Sequence, residues 1–421
     1  MSRFIIRGGK TLAGTIAVRG AKNHAIKIFP ACLLFSKPVV VKNVPDIEDV
    51  LRTHELLRDL GFLVEDQGER TYRIVPPARV AASSLRRDIA ERIRASILFV
   101  GPLLVRQVRA EFPFPGGCVI GRRPIDLFLD GWRSMGIEVR ESGSMFRLTA
   151  ARVHGADYTF RIVSHTATES LLMTAVLAKG TTILRNAALD PEIAALADFL
   201  NASGASITGA GTPTIRIEGT GGTLLKRGTC TVIPDRLETG SFAILASILG
   251  KKIRITDCNP QHVEVLLQHL RIAGVSIRQG VDWIEIKRPA RLLAVGVRTR
   301  EYPGFATDHQ APFVVLLTQA TGQSMVFETV FEGRLSYLEE LNRMGASITQ
   351  CDLHRAIVNG PTRLRARAME SPDLRTGIAF VIAALVAKGT SSIGNIYQID
   401  RGYEQLDERL RALRADIIRE A

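Results

Sequence analysis

The sequence predicts an α/β protein made of two similar domains, each built from three copies of one βαβαββ-like unit. Six times along the 421 residues, an apolar helical stretch, a turn, a β-rich segment and an amphipathic helix follow one another. Each copy ends in the phrase Leu-x-x-x-Gly-x-x-Ile or a variant, and its glycine, or the residue replacing it, recurs about every 70 residues. These marker positions are Gly61, Gly136, Gly204, Gly274, Gly345 and Arg414. The period is too long for a solenoid repeat and suits a small α/β unit.

Strands are predicted where apolar and polar residues alternate. Residues 181–186 (TTILRN) and 252–257 (KIRITD) alternate in this way, as strands with one buried face do. The opening segment, residues 3–20, has the pattern of a strand, a turn and a second strand, and it precedes the first repeat. These two strands could pair with either half of the chain.

Two kinds of helix alternate in the repeats. Residues 262–271 (HVEVLLQHLR) carry apolar side chains at helical spacing, so one face is expected to be buried. The marker glycine after such a helix suits a left-handed C-cap. The first helix of each unit, for example residues 378–387, is apolar on all sides and should lie at a domain centre. The sequence therefore predicts helices inside and sheets outside.

The domain boundary is expected near residues 228–234, after the third repeat and its closing strands. The first domain would span residues 22–234 and carry the loop around Cys118. The second would combine residues 1–21 with residues 235–421. A cleft between two such domains is a natural place for a ligand.

Composition excludes several classes of protein. With 46% hydrophobic and 23% charged residues, the chain is not disordered, collagen-like or a coiled coil. It shows neither an apolar stretch long enough for a membrane span nor a secretory signal, so a cytoplasmic protein without membrane insertion is expected. Five scattered cysteines without a CxxC pair argue against a disulfide framework or a thiolate zinc cluster.

The net charge of +13 is compatible with nucleic acid, a membrane surface or small anions as partners. Aromatic residues make up only 6% of the chain and show no RNA-binding pattern, so a basic nucleic-acid-binding repeat protein is a remote alternative. The phosphate-binding loop, the dinucleotide fingerprint, HExxH and GxSxG are all absent from the sequence. Small anionic ligands remain the main possibility.

A glycine-rich loop presents the most reactive candidate residue, Cys118. The run Pro115-Gly116-Gly117 precedes this cysteine, and Arg122 and Arg123 follow it. Neighbouring cations lower the pKa of a thiol and favour the nucleophilic thiolate. A structural cysteine is less expected in such a loop than a reactive one.

Two further clusters combine a charged residue with a turn or a helix start. Lys22 follows the small residues Gly20 and Ala21 where a helix is predicted to begin, a suitable place to bind a phosphate or a carboxylate. Asp308 follows a Pro-Gly turn and stands between Thr307 and His309, so it is a candidate general base. Thr307 or Asp308 could equally cap the apolar helix that follows.

Four arginines lie near the starts of repeat helices or in the loops that follow their strands: Arg94, Arg334, Arg375 and Arg401. Any one of them could be a surface ion pair. Equivalent positions of a repeat gather at one end of a domain, so together they favour an anionic substrate.

These motifs together resemble the enolpyruvyl transferases, and within them the branch that acts on UDP-N-acetylglucosamine. The resemblance covers essentially the whole chain. It is carried by residues 20–23 (GAKN), 94–96 (RAS), 115–121 (PGGCVIG), 123–127 (RPIDL), 186–188, 191–193, 234–236, 238–240, 307–310 (TDHQ), 328–332 (ETVFE) and 399–404 (IDRGYE). The cysteine loop followed by Arg-Pro-x-Asp-Leu is the most specific of these, because the shikimate-3-phosphate branch lacks a cysteine there.

The resemblance implies two inside-out α/β barrel, or prism, domains with a cleft between them. It also implies transfer of the enolpyruvyl group of phosphoenolpyruvate to the 3′-hydroxyl of UDP-N-acetylglucosamine with release of phosphate, the first committed step of peptidoglycan synthesis. No cofactor and no metal are implied, because side chains supply the cations, and no nucleic-acid partner is implied.

The resemblance also assigns roles to residues. Cys118 would donate the proton to the methylene carbon, and Asp308 would accept the proton of the attacking hydroxyl. The residues expected to neutralise the substrate's phosphate and carboxylate are Lys22, Arg123, Arg334 and Arg401, with Arg375 as a further substrate-binding residue. The residues expected to hold the nucleotide sugar are Asn23, Arg94, Arg123, Pro124, Ile125, Asp126, Leu127, Ser164 and Val330.

One stretch departs from the family pattern. The usual Lys-Val-Ser-Val-Gly before the third buried helix is replaced by Ile162-Val163-Ser164-His165-Thr166. Because this stretch is expected to contact the nucleotide, an enolpyruvyl transferase that acts on another uridine nucleotide is the alternative.

Overall fold

A computed structural model describes residues 2–116 and 124–420. The fold is mixed α/β with several sheets. The described residues divide into two compact units. The first unit comprises residues 20–116 and 124–233, and the second comprises residues 2–19 and 234–420.

The chain begins with two strands of the second unit, β1 (Arg3–Arg7) and β2 (Leu12–Ala17). The helices and strands of the first unit follow in the order α1 (Lys22–Ala31), β3 (Val39–Lys42), α2 (Glu48–Asp59), β4 (Leu63–Asp66), β5 (Tyr72–Val75), α3 (Arg87–Ala90), α4 (Val100–Gln107), β6 (Arg109–Pro113), α5 (Asp126–Ser134), β7 (Glu138–Ser142), β8 (Met145–Thr149), β9 (Asp157–Thr159), α6 (His165–Val176), β10 (Lys179–Arg185), α7 (Pro191–Ala202), β11 (Ser206–Thr208), β12 (Thr214–Thr220) and β13 (Gly228–Thr231). Short 3₁₀ turns occupy Cys32–Leu34 and Arg94–Phe99.

The described part of the first unit contains three sheets, with strand orders β13-β3-β5-β4, β6-β8-β7 and β11-β12-β10-β9. The strand predicted at residues 181–186 lies largely within β10, where Thr182 and Leu184 are buried and Arg185 is exposed. Helix α6 is buried from residue 167 to residue 176, because it packs against α4, α5 and strand β12.

The second unit continues with α8 (Arg236–Leu249), β14 (Gly250–Thr256), α9 (Glu264–Ile272), β15 (Ser276–Gln279), β16 (Trp283–Lys287), β17 (Val297–Arg298), α10 (Thr307–Leu317), β18 (Gly322–Phe327), α11 (Leu338–Arg343), β19 (Ser347–Gln350), β20 (Arg355–Gly360), β21 (Ala368–Glu370), α12 (Leu374–Val386), β22 (Thr390–Gly394), α13 (Tyr397–Asp400), α14 (Leu406–Ala412) and β23 (Asp416–Glu420). A 3₁₀ turn at Pro260–Val263 precedes α9, so the predicted helix at 262–271 starts as a tighter turn.

The core of the second unit is formed by α8, α10 and α12, which pack against one another. All of α8 is buried, as are residues 374–385 of α12, which confirms that the apolar stretch at 378–387 is a buried helix. The strand orders of the described sheets are β21-β22-β1-β23, β15-β16-β14-β2 and β17-β18-β20-β19.

The opening segment contributes to two different sheets of the second unit. Strand β1 pairs antiparallel with β22 and β23, and β2 pairs parallel with β14. The prediction of a strand, a turn and a second strand is therefore confirmed. Both strands pair with strands of the second unit.

The backbone at the repeat markers has positive φ in every copy. The φ angle is 91° at Gly274 and lies between 79° and 106° at the other four marker glycines. Arg414 takes the same conformation, with φ 75°, although it has a Cβ. The predicted left-handed C-caps are thus present. Within residues 2–116 and 124–420, each helix is too short or too polar to span a membrane.

Candidate active site

In the second unit, Asp308 lies in the first turn of α10. Ala306 occupies the N-cap position and offers no side-chain cap, so Thr307 and Asp308 are inside the helix and neither is its cap. The alternative of a capping role is therefore wrong. Without a capping role, the Asp308 carboxylate is available for other partners.

Two arginines hold the Asp308 carboxylate. Arg334 Nη2 lies 2.6 Å from Asp308 Oδ1, and Arg375 Nε lies 3.3 Å from the same oxygen. The side chains of both arginines are less than a tenth exposed, whereas that of Asp308 is 27% exposed. Burial alone would raise the pKa of the Asp308 carboxyl, but the charges of Arg375, Arg334 and Arg236 outweigh it and hold the pKa far below its usual range. Asp308 is thus a half-buried anion at neutral pH.

Arg375 is positioned by the start of α12. Asp373 is the N-cap of this helix, and its side chain accepts hydrogen bonds from the backbone N–H groups of Arg375 at 2.8 Å and Thr376 at 3.1 Å. Burial would lower the pKa of Arg375, but the carboxylate of Asp308 and the hydroxyl of Tyr403 more than offset it and raise that pKa. Arg375 therefore keeps its charge although it is 8% exposed.

The neighbouring imidazole of His309 is neutral. Burial and the nearby charge of Arg236 lower the pKa of His309 to about 4, against the opposing effect of Asp308. Its Nε2 lies 3.2 Å from the carbonyl oxygen of Leu237 on α8. His309 thus adds no positive charge beside Asp308 at neutral pH. Arg401 follows α13, is 7% exposed, and donates a hydrogen bond to Gln398 at 3.1 Å.

In the first unit, Lys22 is the first residue of α1 and forms a buried ion pair. Its Nζ lies 2.7 Å from Oδ2 of Asp49, in the first turn of α2. The two side chains are 10% and 6% exposed. A Cβ at Gly20 would lie 1.9 Å from the carbonyl oxygen of Asn43, so only glycine fits just before α1. Asn23, the next residue on α1, is half-buried.

Arg94 contacts both flanks of the cysteine loop. Its guanidinium donates to the carbonyl oxygens of Pro115 at 3.4 Å and Pro124 at 3.2 Å. Cys118 and Arg123 themselves lie outside the described residues, which end at 116 and resume at 124. The two described flanks are therefore held by one cation.

The remaining nucleotide-site candidates of the first unit lie at the starts of two helices. Ile125 is the N-cap residue of α5, Asp126 begins the helix and pairs with Arg161, and Leu127 is buried. Ser164 caps α6 by accepting a hydrogen bond from the backbone N–H of Ala167 at 3.3 Å. Helix starts present N–H groups that favour anions.

The sequence matches a known family over most of its length. The family model described as EPSP synthase (3-phosphoshikimate 1-carboxyvinyltransferase) matches residues 6–410. The chain belongs to the EPSP synthase family. Within it, the chain is 41% identical over 419 residues to "UDP-N-acetylglucosamine 1-carboxyvinyltransferase 3" of Caldanaerobacter subterraneus subsp. tengcongensis, covering 100% of this chain and 99% of that protein. It is 42% identical over 420 residues to the UDP-N-acetylglucosamine 1-carboxyvinyltransferase of Halorhodospira halophila, with the same coverage.

Solved structures of an enolpyruvyl transferase and of an EPSP synthase have the same fold. The enolpyruvyl transferase NikO from Streptomyces tendae superposes with a TM-score of 0.89 at 24% identity, covering 99% of this chain and 98% of its own. EPSP synthase from Acinetobacter baumannii superposes with a TM-score of 0.76 at 18% identity over the whole of both chains. At these identities the likeness supports the fold alone.

Sequence reasoning about this EPSP synthase family member placed Glu328 in the motif 328–332 but gave it no role, and the structure shows it to be a positioning residue. Its fully buried carboxylate accepts hydrogen bonds from the Thr299 hydroxyl at 3.0 Å and the Thr307 hydroxyl at 2.8 Å. It also accepts from the backbone N–H groups of Val330 at 2.8 Å and Phe331 at 3.2 Å. Glu328 thus connects the start of α10 to the segment carrying Val330. The signal in the sequence was the motif 328–332 itself, which begins with a charged residue.

Proposed function

We propose that this chain transfers the enolpyruvyl group of phosphoenolpyruvate to the 3′-hydroxyl of UDP-N-acetylglucosamine and releases phosphate, the first committed step of peptidoglycan synthesis. The relatives that share 41–42% identity over the whole chain carry the name of this activity. Among the structural observations, the Asp308 carboxylate held by Arg334 and Arg375 carries the proposal. It combines a base with two buried cations that can bind an anionic substrate.

In the addition step, the sugar oxygen forms a bond to the carbon of phosphoenolpyruvate that bears the phosphate. Asp308 accepts the proton of the hydroxyl, and Cys118 gives its proton to the methylene carbon, which becomes a methyl group. In the elimination step, the methyl group loses a proton, the C–O bond to phosphate breaks and the double bond forms again. The proton that the methylene carbon gains in the addition step is therefore balanced by the proton that the methyl group loses in the elimination step.

Anion binding would prepare Asp308 for its role as base. The free carboxylate is a weak base, because the guanidinium groups of Arg334 and Arg375 stabilise its ionised form. A phosphate or carboxylate that accepts hydrogen bonds from these guanidinium groups would weaken their hold on Asp308. The pKa of Asp308 would then rise when substrate is bound, which is when a base is needed.

The other site residues have supporting roles in this proposal. Lys22, Arg123 and Arg401 would bind the phosphate or the carboxylate together with Arg334 and Arg375. The residues that would hold the nucleotide sugar are Asn23, Arg94, Arg123, Pro124, Ile125, Asp126, Leu127, Ser164 and Val330. Arg94 contacts the carbonyl oxygens of Pro115 and Pro124, so we infer that it also helps to position the loop that carries Cys118.

The proposal includes the finer architecture. We infer an inside-out α/β prism of three repeated units in each domain, with residues 22–234 in the first and residues 1–21 and 235–421 in the second. Three described sheets in each unit and the buried helices α6, α8 and α12 support this architecture.

The acceptor is tested by measuring phosphate release from phosphoenolpyruvate with different nucleotides. Release is expected with UDP-N-acetylglucosamine. Release with another uridine nucleotide, and none with UDP-N-acetylglucosamine, would establish the alternative suggested by Ile162–Thr166.

The proton donor is tested by replacing Cys118 with alanine. Turnover should fall by orders of magnitude, and Cys351→Ala is the matched control, since Cys351 is an exposed free cysteine of the second unit. The epoxide fosfomycin should add one equivalent to the wild-type protein and to the Cys351 variant, and none to the Cys118 variant. Undiminished turnover of Cys118→Ala would remove this residue from the mechanism.

A further inference from the structure

The segment between β18 and α11 is attached to the first turn of α10 at two points. Near its start, the Glu328 carboxylate accepts a hydrogen bond from the Thr307 hydroxyl at 2.8 Å. Near its end, Arg334 Nη2 lies 2.6 Å from Asp308 Oδ1. Thr307 and Asp308 are the first two residues of α10. Val330 lies between the two attachment points, so the segment connects a residue expected to hold the nucleotide sugar with the proposed base.

The two attachments differ in their access to solvent. Glu328 is fully buried, whereas the side chain of Asp308 is 27% exposed. A phosphate or carboxylate that enters from solvent can therefore compete with Asp308 for Arg334, while the Glu328 carboxylate stays out of its reach. The attachment through Glu328 is thus the permanent one, and it keeps the segment in place when Arg334 turns to the substrate.

The two oxygens of the Glu328 carboxylate serve different parts of the site. Oε2 accepts the hydrogen bond from the Thr307 hydroxyl at the start of α10. Oε1 accepts from the Thr299 hydroxyl at 3.0 Å and from the backbone N–H groups of Val330 at 2.8 Å and Phe331 at 3.2 Å. One oxygen therefore fixes the helix turn that carries the proposed base, and the other fixes the segment that carries Val330.

Thr299 strengthens the second set of contacts. Its hydroxyl donates to Glu328 and at the same time accepts a hydrogen bond from the backbone N–H of Thr329 at 2.9 Å. Its carbonyl oxygen accepts from the Thr329 hydroxyl at 2.5 Å. Thr299 is fully buried, and its own backbone N–H donates to the carbonyl oxygen of Phe327 at 3.0 Å. Residues 329–331 are therefore held from a fixed point outside their own loop.

The start of α10 depends on this long-range anchor because its N-cap residue is Ala306, whose side chain cannot accept a hydrogen bond. A carboxylate near the first turn of a helix is also favoured by the positive end of the helix dipole. Glu328 thus stabilises the first turn of α10 through Thr307, and with it the position of Asp308.

We propose that Thr307 and Thr299 are positioning residues with separate tasks, both of which act through Glu328. Thr307 sets the position of the Asp308 carboxylate relative to the attacking hydroxyl. Thr299 sets the position of the backbone of residues 329–331, against which the nucleotide sugar binds. These tasks rest on the proposed transfer, since they are defined by its base and by its nucleotide sugar.

The test is the steady-state kinetics of phosphate release by the full chain and by valine variants, because valine keeps the shape of threonine but lacks its hydroxyl. Thr307→Val should lower kcat about 10- to 100-fold and change the KM for UDP-N-acetylglucosamine by less than about threefold. Thr299→Val should raise that KM at least about fivefold and change kcat by less than about threefold.

Thr318→Val is the matched control. Thr318 is a fully buried threonine at the opposite end of α10, and its hydroxyl donates to the carbonyl oxygen of Val315 at 2.7 Å. This substitution also removes a buried hydroxyl from the same helix, but it should leave both kcat and KM unchanged. Thr307→Ser keeps the hydroxyl and should keep kcat within about threefold of the wild type.

Substitutions of Glu328 separate positioning from charge. In Glu328→Gln, the amide oxygen can accept the three hydrogen bonds now made to Oε1, and the amide N–H can donate to the Thr307 hydroxyl oxygen. Positioning therefore predicts that Glu328→Gln keeps kcat within about tenfold of the wild type, whereas Glu328→Ala loses far more. If Thr307→Val does not fold, the comparison of Glu328→Gln with Thr307→Ser decides the matter, because both should remain active.

Three results obtained with an active wild type would overturn the proposal. They are a kcat of Thr307→Val within about threefold of the wild type, kinetic losses in Thr318→Val as large as those in Thr307→Val, and a Thr307→Ser or Glu328→Gln protein that folds but falls below its stated limit for kcat. A wild type that releases no phosphate with UDP-N-acetylglucosamine would instead refute the proposed transfer, so the two failures can be told apart.

Discussion

Asp308→Asn removes the negative charge between Arg334 and Arg375 while nearly preserving the shape of the side chain. At an effective dielectric constant of about 20, the gross attraction is roughly 6 kcal/mol at the 2.6 Å separation from Arg334 and roughly 5 kcal/mol at the 3.3 Å separation from Arg375. Loss of one partner from a fully buried ion pair costs about 3–5 kcal/mol. Asp308 is 27% exposed and asparagine can still accept a hydrogen bond, so we expect the free energy of unfolding to fall by about 2–3 kcal/mol.

The same substitution should affect catalysis more strongly than stability. A general base contributes roughly 10²–10⁴-fold to the rate, which corresponds to about 3–5 kcal/mol of activation free energy. The assay is phosphate release at saturating substrates, with urea unfolding on the same samples. Asp352→Asn is the control, because Asp352 forms an exposed ion pair with Arg355 in the same unit, and it should leave both quantities unchanged. A folded Asp308→Asn protein with kcat within about threefold of the wild type would refute the assignment of the base.

Competition for the guanidinium groups gives a further readout. Without Asp308, Arg334 and Arg375 should bind inorganic phosphate more tightly, so kcat falls while anion affinity rises.

The pH dependence of stability gives another readout. The lowered pKa of Asp308 means that its contribution to stability is fully present above pH of about 4 and is lost as the pH falls towards its folded-state pKa. The stability difference between wild type and variant should therefore be constant at higher pH and shrink below pH of about 4.

Three other substitutions test the remaining features. Arg414→Gly relieves a positive φ of 75° and should raise the free energy of unfolding in urea by up to about 1 kcal/mol; a decrease would contradict the strain argument. Burial lowers the pKa of His54 to about 3, so below pH 6.5 the unfolded state binds a proton that the folded state does not, and stability falls with pH. His54→Phe should therefore reduce the loss of stability between pH 7 and pH 5 by about 2 kcal/mol, and an unchanged loss would exclude this source. Gly20→Ala should lower the free energy of unfolding by about 1–3 kcal/mol, because its Cβ would lie 1.9 Å from the Asn43 carbonyl oxygen. Gly296→Ala is the control: the atom nearest to its Cβ would lie at 3.7 Å, so its thermal unfolding should be unchanged.

Local patterns in the sequence predicted the local structure well. The buried stretch at 378–387 and the alternation at 181–186 are visible in the residues themselves, and the structure contains α12 and β10 there. The partners of β1 and β2 were left open, since alternation shows that a strand exists but not which strand it pairs with. Pairing depends on the tertiary fold.

Only part of the candidate site could be predicted, because contacts between residues far apart in sequence depend on the tertiary fold. Asp308 was identified from its turn and its neighbours, but the ion pairs with Arg334 and Arg375 join residues far apart in sequence. The expectation that the first helix of each unit is apolar on all sides holds for α12 and fails for α6, which buries Glu169.

The placement of β1 has a consequence for the order of folding. This strand lies between β22 and β23, and Phe4 is paired with Arg419. During synthesis, β1 is made before β22 and β23 and must wait for both of them, whereas residues 20–116 and 124–233 can begin to fold as soon as they emerge. The long loop that this pairing closes is costly in entropy and slows assembly. The second unit is therefore the late-folding part of the chain, and β1 is exposed to aggregation until β22 and β23 have been made.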